Sequence, residues 1–89
     1  MKSQLTEDFI SCFRGLPVRI QRLARKNYKL WRENPAHPSV QFKLVGKRIP
    51  VYSIRVGIGW RALGQKVDDV IVWFWIGSHA EYMKLLRNV

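Results

Sequence analysis

Arg55, Arg61 and His79 are the residues whose types suit chemistry at a phosphate. The two arginines flank Gly57-Ile58-Gly59, which separates two β-prone runs. A three-residue loop there pairs Val56 with Trp60 and sets Arg55 directly opposite Arg61. Their Cβ atoms would stand roughly 4.5–5.5 Å apart, where like charges destabilise a sheet. An anion between them removes that penalty, and guanidinium groups clamp phosphate in a bidentate fashion. Two plainer readings stand beside this one: both arginines splay into water, or a two-residue loop sets a different register.

His79 falls in the first turn of a helix that follows a strand. The positive end of a helix favours neutral imidazole, so His79 can accept a proton near neutral pH. Its plain alternative is a surface or capping histidine. Lys43, Lys47 and Arg48 add cations on the rim. RNA cleavage requires a deprotonated 2′-hydroxyl, stabilised charge on the phosphorane and a protonated 5′-oxygen. Arginines supply the second need and a histidine the first or third. His37, in Asn34-Pro-Ala-His-Pro, reads as a loop residue. Neither histidine has a partner at metal-ligand spacing, and Cys12 is the single cysteine, so neither a metal, another cofactor nor a disulfide is expected.

These residues belong to a chain of 89 with 16 Lys+Arg against 6 Asp+Glu, a formal net charge of +10. Between Phe9 and Val67 the only acid is Glu33. Such a field draws polyanions by neutralising phosphates and releasing counterions, or it meets an acidic protein. A hydrophobic fraction of 47% excludes a disordered tail, and the length suits one domain over residues 1–89. The apolar run Val70 to Ile76 is far short of the roughly 20 residues that span a bilayer. Glu7 and Asp8 interrupt any signal-peptide stretch, so the expected location is the cytoplasm, away from membranes.

The elements that position the candidate residues follow from periodicity. A first helix runs from about Thr6 to Arg14, capped by Thr6, with Leu5 and Ile10 at hydrophobic-staple spacing. Pro17 opens a second helix that reaches about Glu33. Ile20, Leu23, Ala24, Asn27, Leu30 and Trp31 fall on one side of it, and Arg19, Arg22, Arg25, Lys26, Lys29 and Arg32 on the other. The basic stripe is open to solvent, to an acidic partner or to RNA. Val40–Val45, Pro50–Val56, Trp60–Gln65 and Val70–Ile76 read as strands whose short connections make an antiparallel meander. Val70–Ile76 is apolar on both faces, the mark of a central strand buried on both sides. Ser78 and Glu81 form a capping box for a last helix. The expected fold is α+β: two N-terminal helices, a four-stranded antiparallel sheet and a C-terminal helix.

Three stretches carry a family resemblance: Tyr52-Ser53-Ile54-Arg55-Val56-Gly57, Trp60-Arg61-Ala62-Leu63 and Trp73-Phe74-Trp75-Ile76-Gly77-Ser78-His79-Ala80-Glu81-Tyr82. With the preceding helical hairpin they resemble the RelE/ParE toxin superfamily over essentially the whole chain. The resemblance implies a bacterial type II toxin neutralised by a small acidic antitoxin. RelE-like members cleave mRNA on the ribosome, whereas ParE-like members share the fold and inhibit DNA gyrase. On this resemblance Arg61 matches the sheet arginine, Arg55 falls where the preceding strand carries a lysine or arginine, and His79 falls where an arginine or histidine follows the last strand. Ser53 stands where RelE has a lysine. The late tyrosine of RelE lacks a match, with Leu85 near its position, and Tyr82 would serve from a different turn as an orienting or stacking residue. Lys43, Lys47 and Arg48 would bind the RNA backbone.

Overall fold

A computed structural model describes residues 2–46 and 48–87. The elements are β1 (Lys2–Leu5), α1 (Glu7–Arg14), α2 (Val18–Glu33), β2 (Lys43–Gly46), β3 (Val51–Gly57), β4 (Trp60–Val67), β5 (Val70–Ser78) and α3 (His79–Leu86). The strands form one sheet in the order β1-β5-β4-β3-β2. β2 to β5 are antiparallel neighbours, as their short connections require. β1 adds to β5 in parallel, from Lys2 opposite Val70 to Leu5 opposite Trp73. The fold is α+β as expected, but the sheet is five-stranded and mixed, not four-stranded and antiparallel. A four-strand meander leaves its last strand on an edge; β1 covers that edge, so β5 is flanked on both sides, although the central strand is β4 and not β5 as its sequence suggested.

α1 and α2 pack on one face of the sheet and α3 on the other. Thr6 caps α1, its Oγ1 accepting the Phe9 N–H at 3.1 Å, and its own N–H donates to the Trp73 carbonyl at 3.0 Å. Pro17 lies one residue outside α2 as its N-cap, not inside as its first residue. Ile20, Ala24 and Trp31 of α2 are buried, with Leu23 and Leu30 packed beside them. Arg19, Arg22, Arg25, Lys26, Lys29 and Arg32 are all exposed, so the expected division of the helix holds. The first meander strand begins at Lys43, not Val40, because Gln41 takes a positive φ of 45° that leaves the β region. Val40 is nevertheless fully buried.

β5 carries an irregularity that serves both layers. Leu63 pairs with Trp75 and Gly64 with Trp73, leaving Phe74 as an extra residue. Trp73 therefore packs on the α1/α2 side, edge-on to Trp31 with ring centroids 5.1 Å apart. Phe74 and Trp75 both join the cluster under α3, with Leu63 and Tyr82. Gly64 accommodates the bulky face: a Cβ there would lie 2.6 Å from Ile71 Cγ2 and 2.8 Å from Trp73 Cε3. Among the described residues no helix is long and apolar enough to cross a membrane.

Candidate active site

The β3–β4 hairpin closes with Gly57 opposite Trp60, so its loop is Ile58-Gly59, two residues rather than the three expected. Gly59 has φ +82°, a conformation that favours glycine. The register shifts between Arg55 and Gly57, which leaves Val56 bulged. That extra residue compensates for the shorter loop, and Arg55 pairs with Arg61 after all. The Arg55 N–H donates to the Val40 carbonyl at 2.7 Å, on the side away from β4. The two arginines thus form a non-hydrogen-bonded pair, the closer of the two kinds of cross-strand pair.

Arg61 does not splay freely into water. Its Nη1 donates to the Trp60 carbonyl at 2.8 Å and to the Gly57 carbonyl at 3.4 Å. Its guanidinium carbon lies 5.9 Å from the centre of the Tyr82 ring, within cation–π range. Both Arg55 and Arg61 are half-buried, which weakens solvent screening of their repulsion. Opposite Arg61 on β5 stands Gly77. A Cβ at Gly77 would lie 2.5 Å from Trp75 Cζ2, so the indole occupies the space beside the arginine.

α3 brings the remaining residues to the same face. Ser78 Oγ accepts the Glu81 N–H at 3.2 Å, as expected of the cap. Glu81 Oε1 accepts from the Ser78 hydroxyl at 3.0 Å and not from the Ser78 backbone N–H that a full capping box uses. The His79 N–H donates to the Gly59 carbonyl at 2.7 Å and ties the start of α3 to the hairpin loop. The His79 ring is exposed and its centroid is 5.6 Å from that of Tyr82. Tyr82 is buried, and its hydroxyl is 3.4 Å from the hydroxyl of buried Ser53. Arg55, Arg61, His79 and Tyr82 are therefore brought together, with the Tyr82 ring as the platform between Arg61 and His79. The Tyr82 hydroxyl points into the core, and its buried ring meets the site through Arg61 and His79.

Lys43 pairs with Ser53, so it is exposed on the same face, one row from Arg55. Arg48 is different. It lies in the turn before β3, and Val51 to Arg55 alone spans about 13 Å of strand. Arg48 is exposed beyond the far end of the sheet. Lys47 lies outside the described residues. Among the described residues no group of three or more His, Cys, Asp and Glu could hold a metal ion. The apolar hollow lined by Leu5, Phe9, Ile10, Phe13 and Tyr28 lies on the α1/α2 side, away from this cluster. Sequence reasoning did not assign site roles to Gly77 and Trp75; their one signal was a glycine two residues beyond a tryptophan at the end of an apolar strand.

The arrangement offers paired guanidinium donors, an exposed imidazole and a cation one row away, on a face where Glu81 is tied to the helix cap. It can hold an anion and move a proton beside it.

The chain matches the ParE-like toxin domain over residues 18–84. No curated protein matches it in sequence. Its fold is similar to the RelE toxin in the RelB-RelE antitoxin-toxin complex of Methanococcus jannaschii, with a TM-score of 0.73 at 13% identity, covering 92% of this chain and 96% of that one. YafQ of E. coli gives 0.71 at 12% identity, with 91% and 96% covered. The isolated E. coli RelE toxin gives 0.65 at 19% identity, with 99% and 98% covered. α2, the strands β2 to β5 with the opposed arginines, and most of α3 fall within the matched span, and the chain belongs to the ParE-like toxin domain family.

Proposed function

We propose that this chain is the toxin of a type II toxin-antitoxin system and acts as a ribosome-dependent mRNA endonuclease. The observation that carries the reading is the Arg55–Arg61 pair held on one face beside His79. A scissile phosphate between the guanidinium groups would relieve their repulsion, and more so as the phosphorane gains charge. His79 takes the 2′-hydroxyl proton or delivers one to the departing 5′-oxygen. The 2′-oxygen bonds to phosphorus as the P–O5′ bond breaks, leaving a 2′,3′-cyclic phosphate, or the 3′-phosphate after hydrolysis, and a free 5′-hydroxyl. Tyr82 holds Arg61 in place, and Lys43 binds the adjoining backbone. No metal or cofactor enters this scheme.

The expected partners are mRNA, the ribosome and an acidic antitoxin made with the toxin. The exposed basic stripe of α2 supports an acidic partner, as does the complex with RelB in which a protein of similar fold is found. The expected site of action is the cytoplasm. The family match itself favours a second reading, a non-catalytic inhibitor of DNA gyrase that uses the same basic surface without chemistry. Primer extension on transcripts after induction separates the two. Sharp, codon-positioned cuts support the nuclease; an SOS response with intact transcripts supports the gyrase inhibitor.

A further inference from the structure

Asn27 stands on the buried stripe of α2, among residues that are otherwise apolar, and reaches the sheet from the face opposite the candidate site. Its Nδ2 donates to the Val56 carbonyl at 2.6 Å and to the Arg55 carbonyl at 3.2 Å. These are the carbonyls of the bulge, where an inserted residue disrupts the ladder that would otherwise supply donors. An amide nitrogen carries two hydrogens, enough for both.

The bulge decides where Arg55 points. With Gly57 still opposite Trp60, a hairpin without it sets Val56 against Arg61 and Arg55 against Ala62. Arg55 would then face the α1/α2 layer, because a one-residue slip sends every side chain to the other face. We propose that Asn27 is a positioning residue for the cation pair: from the opposite face of the sheet it fixes the bulge at Val56 and so holds Arg55 across from Arg61. This rests on the nuclease reading above for its effect on activity, though not for its effect on geometry. The burial of Ile54 and Ala62 opposes a slip of the whole strand. Loss of the amide therefore leaves the fold intact and loosens the end of the hairpin that carries Arg55.

The test compares wild type with Asn27→Leu, Asn27→Asp and Asn27→Gln in the full chain. Leu keeps the volume and Asp the shape, but neither has a donor; Gln keeps the amide. Single-turnover cleavage of ribosome-bound mRNA, normalised to folded protein, is expected to fall about 10- to 100-fold in the Leu and Asp variants. Gln is expected to recover part of the rate, and ribosome affinity should change less than about twofold in the uncharged Leu variant, since it is set by net charge. The Arg55–Arg61 cross-strand Hα–Hα NOE should weaken in the Leu and Asp variants while that of Ser53–Leu63 persists. If folded Asn27→Leu keeps both the wild-type rate and the wild-type NOE, the proposal is overturned, and a lower melting temperature alone would mark a merely structural residue. If wild type cuts no RNA, the nuclease reading falls, and the NOE comparison still decides the role of Asn27.

Discussion

Arg55 and Arg61 lie directly opposite one another on β3 and β4, although only Ile58 and Gly59 connect the strands, because Val56 is bulged between them. Two like charges at this spacing cost stability that a bound anion returns. Inorganic phosphate should therefore raise the melting temperature in a concentration-dependent way, beyond the effect of chloride at equal ionic strength. Each kcal/mol of linkage corresponds to about 4–8 °C in a domain of this size. Thermal melts of wild type and Arg61→Ala check this: the phosphate-specific increment is expected to vanish in the variant, and an equal increment in both would contradict it.

Substituting the site residues should separate chemistry from folding. Loss of one preorganised donor in Arg61→Ala is expected to lower the cleavage rate about 100- to 1000-fold. Its stability should change little, because relief of repulsion offsets two hydrogen bonds to carbonyls. His79→Ala should also lose most cleavage and keep its fold: Ser78 still caps α3, and the bond to Gly59 uses the backbone N–H. Growth inhibition on induction, melting temperature and antitoxin binding, measured on each variant, give the comparison.

Lys43 and Arg48 look alike in sequence and should not behave alike. Lys43 shares a face with Arg55 and a row with Ser53, whereas Arg48 is at the other end of the strands. Lys43→Ala is expected to reduce cleavage several-fold more than Arg48→Ala, while each removes one charge. The check is the cleavage rate of both variants at one ionic strength, since backbone contacts are salt-dependent.

Much of this arrangement is legible in the residues. The stripe of α2, the capping pair Ser78 and Glu81 and the apolar run of β5 each declare themselves by local spacing. The facing of the two arginines is as expected but for another reason: it comes from the bulge at Val56 and not from a three-residue loop. β1 is illegible because it is four residues long, mostly exposed and held by a strand far along the chain. The bulge at Val56 is illegible because its stabilising amide comes from α2. Lys43 and Arg48 separate only once strand direction is known, because spacing alone does not say which end of a sheet a turn occupies.

Gly77 and Trp73 test the packing beneath and behind the site. Gly77→Ala places a methyl against the Trp75 indole, and overpacking of this kind costs typically about 1–3 kcal/mol. Its activity should fall with its stability, because the indole moves toward Arg61. Trp73→Ala, in the core between both helices and the sheet, should cost roughly 3–5 kcal/mol and leave the chain unfolded at growth temperature. Denaturant melts with circular dichroism measure both.

The most direct measurement is cleavage of a defined transcript bound to purified ribosomes, with fragment ends mapped for wild type and for folded Arg61→Ala and His79→Ala. Wild type is expected to cut at discrete positions, with 5′-hydroxyl and 2′,3′-cyclic or 3′-phosphate ends, and both variants to cut far more slowly. Intact transcripts with wild type, or unchanged cutting by both variants, would contradict a nuclease built on Arg55, Arg61 and His79.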